Sequence, residues 1–586
     1  MQTRRHIHDG RRQSRPHLNI QRSHSPIPPG TRGELRFIPL GGCGEVQRST
    51  YIYEYNDDIV IIDMGLQFPD EDMPGIDYLI ANVEYLKPRK KNIRGIIITH
   101  GHYDHFGAIP HLLDSLGNPP IFATALTRGM IMKRQEDFKQ MPKPKIELIT
   151  TESKVRLGNF LVEFYHINHN IPDSVGVVLR TPVGTVVHTG DFKFDPQPVS
   201  EATADLRRIA EIGRQGVLLL VSESTDADSP GHQISETEVQ KTIEEIFKVA
   251  PGRIIAATFA SLITRLQQLI WLSEKYGRKV ALEGFSIRQN IAVAQELGYL
   301  KIKKGTIIDA KDIHRYKENE IAILCTGAQG EDRAALMRIA NNEHRIITIQ
   351  PKDSVIFSSS VIPGNENTVQ RLKDTLYKRA GKVYHYATMD IHSGGHAKQD
   401  ELTQMIKLTK PKYMIPIHGN YFMLKIHAEL AEKAGVQKNH IMVAEDGEIV
   451  SMSREGIRKL KERAPTDYVM VDGLGVGDVK EVVIRDRQHL AEDGIFVIIA
   501  IVDARTGKVK TSPDIISRGF IYLKESQELL KEVRKRTRTI IEGMTATNTR
   551  PIDWIYVKDE VREKIGQFLF SKTARRPMVL PVVIEV

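Results

Sequence analysis

A continuous apolar run, Ile96-Ile97-Ile98, leads straight into Thr99-His100-Gly101-His102-Tyr103-Asp104-His105. The first part reads as a strand buried on both faces. The second part sets three imidazoles and one carboxylate within six positions, on the turn where that strand must end. A chain arranged this way needs a buried sheet beneath the turn, which points to α/β layers with polar residues at the strand ends. The alternative is a surface loop that happens to be His-rich. With 21 His in 586 residues, this spacing directly after a buried strand argues against chance. Imidazole and carboxylate suit zinc, and manganese less selectively. Ligands on two sides of one turn can serve two metals.

Two more buried-strand runs end on polar residues. Ile59-Val60-Ile61-Ile62 ends at Asp63, and Thr185-Val186-Val187-His188-Thr189 leads to Asp191. His169 sits in Asn168-His169-Asn170-Ile171-Pro172-Asp173, and His418 follows Tyr413-Met414-Ile415-Pro416-Ile417. Taken singly, each such His reads as a core residue with its hydrogen bonds satisfied. Together they predict a dinuclear site. His100, His102 and His169 complete one metal, Asp104, His105 and His418 the other, and Asp191 bridges them. Paired cations lower the pKa of bound water and suit hydrolysis of a phosphodiester or another polarised electrophile.

The length predicts several domains. Residues 1–32 read as a disordered basic tail: seven Arg and one Asp give +6 of the net +9, so the body carries only +3. Such a tail holds a polyanion loosely or merely solubilises. Residues 33–222 and 391–450 form the first domain, because ligand-type residues return at His396 and His418. Between them, 223–390 alternates strand and helix, with helices at 236–249 and 262–276 around a strand at 253–259. This predicts an inserted α/β domain with a parallel sheet. The charged run at 451–465 reads as a linker, and 466–586 as a small α+β domain. Two cysteines, Cys43 and Cys325, rule out a disulfide framework and a Cys-based zinc site and suit a cytoplasmic location. No apolar run approaches the ~20 residues of a membrane span, so no membrane partner is expected.

These motifs resemble the metallo-β-lactamase superfamily and, within it, the β-CASP nucleases, most specifically the bacterial ribonuclease J family. The superfamily motifs fall on Asp63, His100 to His105, His169, Asp191 and His418. The β-CASP motifs fall on Glu223, on His396 in His392-Ser393-Gly394-Gly395-His396, and on His418. Cys325 to Glu331, Val361 to Glu366, Val471 to Asp478, Ser517 to Phe520 and Arg575 to Met578 extend the likeness from Gly33 to Val586. The resemblance implies an αββα sandwich with an inserted β-CASP domain and a C-terminal assembly domain. It implies 5′-to-3′ exonuclease and endonuclease action on single-stranded RNA, with preference for a 5′-monophosphate, in RNA maturation and decay. It also implies two divalent cations per chain, zinc first with manganese or magnesium as alternatives, a homodimer or homotetramer, and RNA-decay partners. In its terms His396 protonates the leaving oxygen and Glu223 orients His396. Asp63 holds the metal loop without being a ligand, and His392 to His396 contact substrate.

The chain departs from the family at several places. Gly394 stands where a phosphate-holding serine is usual, with the serine displaced to Ser393. The loop Gly44-Glu45-Val46-Gln47-Arg48-Ser49 is bulkier than Gly-Glu-Ile-Gly-Lys-Asn. Tyr103 replaces an acidic residue, Asn420 a Glu, and Glu223 an Asp. Ser261 to Arg265 keeps only the Ser and Arg of its pattern. No metal ligand is lost, so the departures predict altered substrate preference.

Arg128 to Lys145 and Lys531 to Arg538 supply basic stretches, each a possible RNA contact or a solvated helix face. Phe68 reads as a base-stacking residue or a core residue. Two further functions stay in view. A small-substrate hydrolase of thioesters or lactams would turn over a chromogenic substrate and ignore RNA. An inactive RNA-binding subunit would bind RNA with strong salt dependence and yield no products.

Overall fold

The computed structural model describes residues 32–70, 72–330, 334–361, 365–453, 455–473, 475–479, 481–545 and 552–586. The expected tail, apart from Arg32, lies outside them, as do parts of the stretches 325–331, 361–366 and 471–478.

Two sheets form the first domain. The eight-stranded sheet runs in the order Ile457–Arg463, Glu448–Met452, Leu35–Gly41, Thr50–Tyr55, Asp58–Ile62, Ile93–Ile97, Ile121–Ala123, Ile146–Leu148. The six-stranded sheet runs Lys154–Leu157, Phe160–His166, Val175–Arg180, Thr185–His188, Leu219–Glu223, Tyr413–Ile417. Period-two alternation explains why both read as unbroken apolar runs. Val60, Ile62, Ile97, Leu219, Val221 and Ile415 face the layer between the sheets. Ile59, Ile61 and Ile96 face outward into a second apolar layer. Leu220 and Met414 face a third layer that holds Ile209 and Ile212 of the helix Leu206–Arg214 and Leu402 and Met405 of the helix Gln399–Thr409.

This topology positions the site. Asp58–Ile62 and Ile93–Ile97 are parallel neighbours, so Asp63 and His100 emerge at the same end. In the other sheet Thr185–His188, Leu219–Glu223 and Tyr413–Ile417 are adjacent and parallel, with Glu223 opposite Ile417. Asp191, Glu223 and His418 therefore leave one sheet edge together, the usual place for an α/β site.

The connection from Glu223 to Tyr413 contains the inserted domain. Its six strands, Ile307–Ile308, Lys279–Glu283, Ile321–Cys325, Ile254–Ala257, Ser354–Phe357 and Lys382–His385, are all parallel and covered on both faces. The helix Glu236–Val249 starts in a capping box of Ser235 and Glu238. Its first residue belongs to a buried charge network. Arg265, fully buried, donates to Glu236, to Gln268 and to the Ile391 carbonyl, and Lys193 of the first domain donates to Glu236 at 3.2 Å. Burial alone would raise the Glu236 pKa, but Arg265 and Lys193 hold it down at about 2. Arg265, which the stretch Ser261 to Arg265 keeps from its pattern, is an internal tie between the insertion and the first domain. Arg265→Met is expected to lower stability by about 3–5 kcal/mol, because Glu236 loses its main counter-charge while still buried. Urea denaturation checks this, and an unchanged midpoint would refute the tie.

The expected linker at 451–465 is corrected. Ile457–Arg463 pairs antiparallel with Glu448–Met452 as the edge strand of the large sheet. Its charges are those of an edge strand, and Arg458, Lys459 and Arg463 pair with Glu34, Glu448 and Glu445. The start of the last domain also moves. Val469–Asp472 and Gly475–Val476 join Leu66–Gln67 and Tyr78–Ile80 in a small sheet. Beyond the helix Glu481–Asp493, a three-stranded sheet of Asp514–Arg518, Ile495–Val502 and Met578–Glu585 packs on helices Gln527–Thr545 and Trp554–Thr573. No helix among the described residues is long and apolar enough to cross a membrane.

Candidate metal centre

Asp63 and His418 both adopt positive φ, 63° and 50°, in the left-handed region that non-glycine residues seldom occupy. At Asp63 this conformation turns the carboxylate back under the metal loop. It accepts from the Thr99 amide at 2.8 Å and the Thr99 hydroxyl at 2.9 Å, and it pairs with His105 Nδ1 at 2.8 Å. Asp63 is fully buried beneath the loop.

Each imidazole that reaches the centre through Nε2 has its other nitrogen engaged. Thr99 Oγ1 gives its proton to Asp63, so His100 Nδ1 donates to it at 3.0 Å. His169 Nδ1 donates to the Gly395 carbonyl at 2.6 Å, and His418 Nδ1 is hydrogen-bonded to Ser49 Oγ at 2.8 Å. The inward nitrogens of His100 and His169 are thus bare lone pairs, lying 3.0 and 3.1 Å from His102 Nδ1. Nitrogens ~2.0–2.1 Å from a tetrahedral zinc lie about 3.3 Å apart, so the spacing fits one ion. Burial holds the His102 and His418 pKa values at about 3, which keeps both rings neutral, the form a metal requires.

The second group, Asp104, His105, Asp191 and His418, brings one atom from each residue within 4.8 Å of the others, as does the first. Asp191 Oδ2 lies 3.1 Å from His105, 3.5 Å from His418, 3.8 Å from His100 and 4.0 Å from His169. That central place suits a bridge. Asp191 Oδ1 and His418 Nε2, both buried, have no hydrogen-bond partner among the described residues. Burial lowers His105's affinity for a proton, but Asp191, Asp104 and Asp63 together outweigh it and raise its pKa. The carboxylates therefore demand positive charge at this point, and a divalent cation answers the same demand. The donor set fits two divalent ions.

His396 stands beside this centre, its side chain about a fifth exposed, with Nδ1 2.9 Å from Glu223 and 3.7 Å from Asp191. Burial would lower its pKa, but Glu223's charge and hydrogen bond, with Asp191, push it up to about 10. Glu223 is wholly buried and also accepts from the Phe192 and Ala397 amides.

The expected substrate cradle at 392–395 is corrected in part. The Ser393 hydroxyl is buried, donating to the Ile234 carbonyl and accepting from Lys193. The Gly394 amide donates to Gln233, and the Gly395 carbonyl serves His169. Burial, with Arg265 beside it, lowers the His392 pKa to about 3. These groups face inward because the turn they form is what anchors His396. Phe68 is 57% exposed, so it is not a core residue, and its amide donates to Gln47. The basic stretches are partly committed: Arg134 lies against Tyr103 and donates to Gly107, and Arg536 covers Phe568.

Ser49, Thr99, the Gly395 carbonyl and Gln233 were not foreseen from the sequence. Ser49→Ala is expected to weaken metal binding about 10–100-fold by freeing the His418 ring. A metal-chelator competition titration measures this, and unchanged affinity would remove Ser49 from the site.

Four family models match stretches of the chain. Residues 43–254 match the metallo-beta-lactamase superfamily model and 251–376 the ribonuclease J beta-CASP domain. Residues 387–443 match the Zn-dependent metallo-hydrolase RNA specificity domain, and 482–586 the ribonuclease J C-terminal domain. Ribonuclease J 1 of Streptococcus pyogenes is 40% identical over 94% of this chain and 98% of its own length. Ribonuclease J2 of Bacillus subtilis is 37% identical over 94% and 99%. A crystal structure of an Enterococcus faecalis protein of unknown function shares the fold, with a TM-score of 0.52 and 14% identity over 72% of this chain and all of that one.

Proposed function

The chain belongs to the ribonuclease J family, and on that premise we propose that it degrades single-stranded RNA 5′-to-3′ from a 5′-monophosphate and also cuts RNA internally, in RNA maturation and decay. It is a metal-dependent ribonuclease. The observation that carries the detailed reading is His396, held 2.9 Å from Glu223 on the rim of two convergent ligand groups. His100, His102 and His169 would hold one cation, Asp104, His105 and His418 the other, and Asp191 both. The proposed metal is zinc. Bound there, the pair supplies Lewis-acid activation of water and neutralises charge on the phosphate. His396, kept protonated by Glu223, would deliver the proton to the leaving 3′-oxygen. Phe68, exposed beside the loop that carries Gln47, would stack on a base.

The test uses metal-loaded protein and a 3′-labelled single-stranded RNA bearing a 5′-monophosphate, a 5′-triphosphate or a 5′-hydroxyl. Mononucleotide release chiefly from the monophosphate is expected. Internal cuts indifferent to the 5′ end would remove the exonuclease assignment. No cleavage with both metals bound would overturn the reading.

The buried, unpaired thiols of Cys43 and Cys325 support a cytoplasmic setting. The C-terminal sheet supports assembly as a homodimer or homotetramer. One face of Ile495–Val502 packs on the helices, while Ile495, Val497, Ile499 and Ile501 point the other way. Pairing sets Ile516 and Leu580 beside Val497, and Ile584 beside Ile501, all three exposed. An aliphatic sheet face of this kind suits a two-fold contact with a second copy. Ile499→Asp is expected to shift the protein to monomer in light scattering; an unchanged mass would place the contact elsewhere.

A further inference from the structure

Gln233 lies just before the helix Glu236–Val249, far in sequence from the turn that carries His396, yet its side chain is bound into that turn. Its Oε1 accepts from the Gly394 amide at 3.2 Å, and its Nε2 donates to the His396 carbonyl at 2.8 Å. The same Nε2 donates to Asp226 at 2.8 Å, and the Gln233 backbone amide donates to Glu401 at 3.1 Å. One carboxamide thus holds both ends of a three-residue turn and is itself fixed from two sides. Between those ends the Gly395 carbonyl binds His169 and the His396 ring binds Glu223.

The space around the turn has the same origin. A Cβ at position 394 would lie 2.6 Å from Gln233 Nε2. The end of a glutamine normally swings aside at little cost, but here three hydrogen bonds hold it. Position 395 is closed independently, since a Cβ there would meet His169 and Asn170 at 2.5 and 2.6 Å. Gly394 therefore lacks a side chain because Gln233 fills its place.

We propose that Gln233 is a positioning residue for the reaction: its carboxamide, in place of any side chain at position 394, fixes the turn that aims His396. The proposal rests on the ribonuclease reading above. It makes Gly394 the counterpart of Gln233 and not a damaged phosphate contact.

The test starts with Gln233→Met, which keeps the volume against Gly394 and removes all three side-chain hydrogen bonds. The expected result is a kcat about 10–100-fold lower, the scale of a misaimed catalytic group. KM and metal content at saturating metal should stay near wild type, and the melting temperature should fall only slightly, since the Gly394 amide and His396 carbonyl lose one partner. Exchange of the 392–397 amides should quicken at least tenfold, by about the protection one such bond gives. A wild-type kcat would overturn the proposal, as would loss of metal or of fold, because the role is confined to the turn. Gly394→Ala should cost kcat in the wild-type background and add nothing in a Gln233→Ala background. Equal losses in both would break the link. If the wild-type protein, loaded with metal, cleaves no RNA, the ribonuclease reading fails by itself. The brace is then decided by amide exchange alone, and unchanged protection in Gln233→Met would overturn it.

Discussion

Asp191→Ala is expected to leave a folded protein that retains less than one of its two metals and cleaves RNA at least about 10⁴-fold more slowly. Asp191 Oδ2 lies within 4.0 Å of imidazole nitrogens from both ligand groups at once. Burial works against its negative charge, yet His105 and His418 pull its pKa well below the usual carboxylate value. A charge kept in place against that cost has a strong partner requirement. Without it, His100 Nε2 and His169 Nε2, 3.0 and 3.1 Å from His102 Nδ1, have no central anion beside them. Loss of some 5–6 kcal/mol of transition-state stabilisation corresponds to the stated factor. Asp191→Asn keeps one carbonyl oxygen and should retain more metal than the alanine variant. Metal analysis alongside the cleavage assay separates the cases. Two bound metals and full activity in Asp191→Ala would end the bridging assignment.

The cluster of candidate ligands was legible because metal binding dictates both residue type and, from His100 to His105, local spacing. The strands beneath them were legible because burial on both faces leaves uninterrupted apolar runs, as at Ile59 to Ile62. The groups that aim the ligands were not. Ser49 meets His418 across 369 positions, and Gln233 meets the His396 carbonyl across 163. A serine or glutamine carries no signature of a contact that only the tertiary fold creates, and the Gly395 carbonyl has no side chain to read. Charge misled in the opposite direction. The run at Ile457–Arg463 reads as a linker because its lysines and arginines hide a strand whose acidic partners lie on other elements. The partner of buried Arg265, Glu236, is likewise set by the fold and not by local spacing.

His396→Ala is expected to slow the chemical step by about 10²–10⁴, the usual worth of a general acid, while both metals stay bound. Metal retention is the decisive half of the result. His169, Asp191 and His396 also bring ligand atoms within 4.8 Å of one another, so a liganding role for His396 is geometrically open. The bond from Nδ1 to Glu223 argues for the acid, because it leaves Nε2 as the nitrogen that can carry a proton to substrate. The pH dependence follows in sign. Burial lowers the His396 pKa, Glu223 and Asp191 push it up to about 10, and cations bound nearby would act downward. The competent form is the protonated one, so kcat should hold through neutral pH and fall on an alkaline limb no higher than about 10. Glu223→Gln removes the largest upward contribution and should move that limb down by at least one unit, toward the ordinary imidazole value of about 6.5. A limb that does not move would detach Glu223 from His396, and loss of metal in His396→Ala would make His396 a ligand and leave the leaving oxygen to another donor.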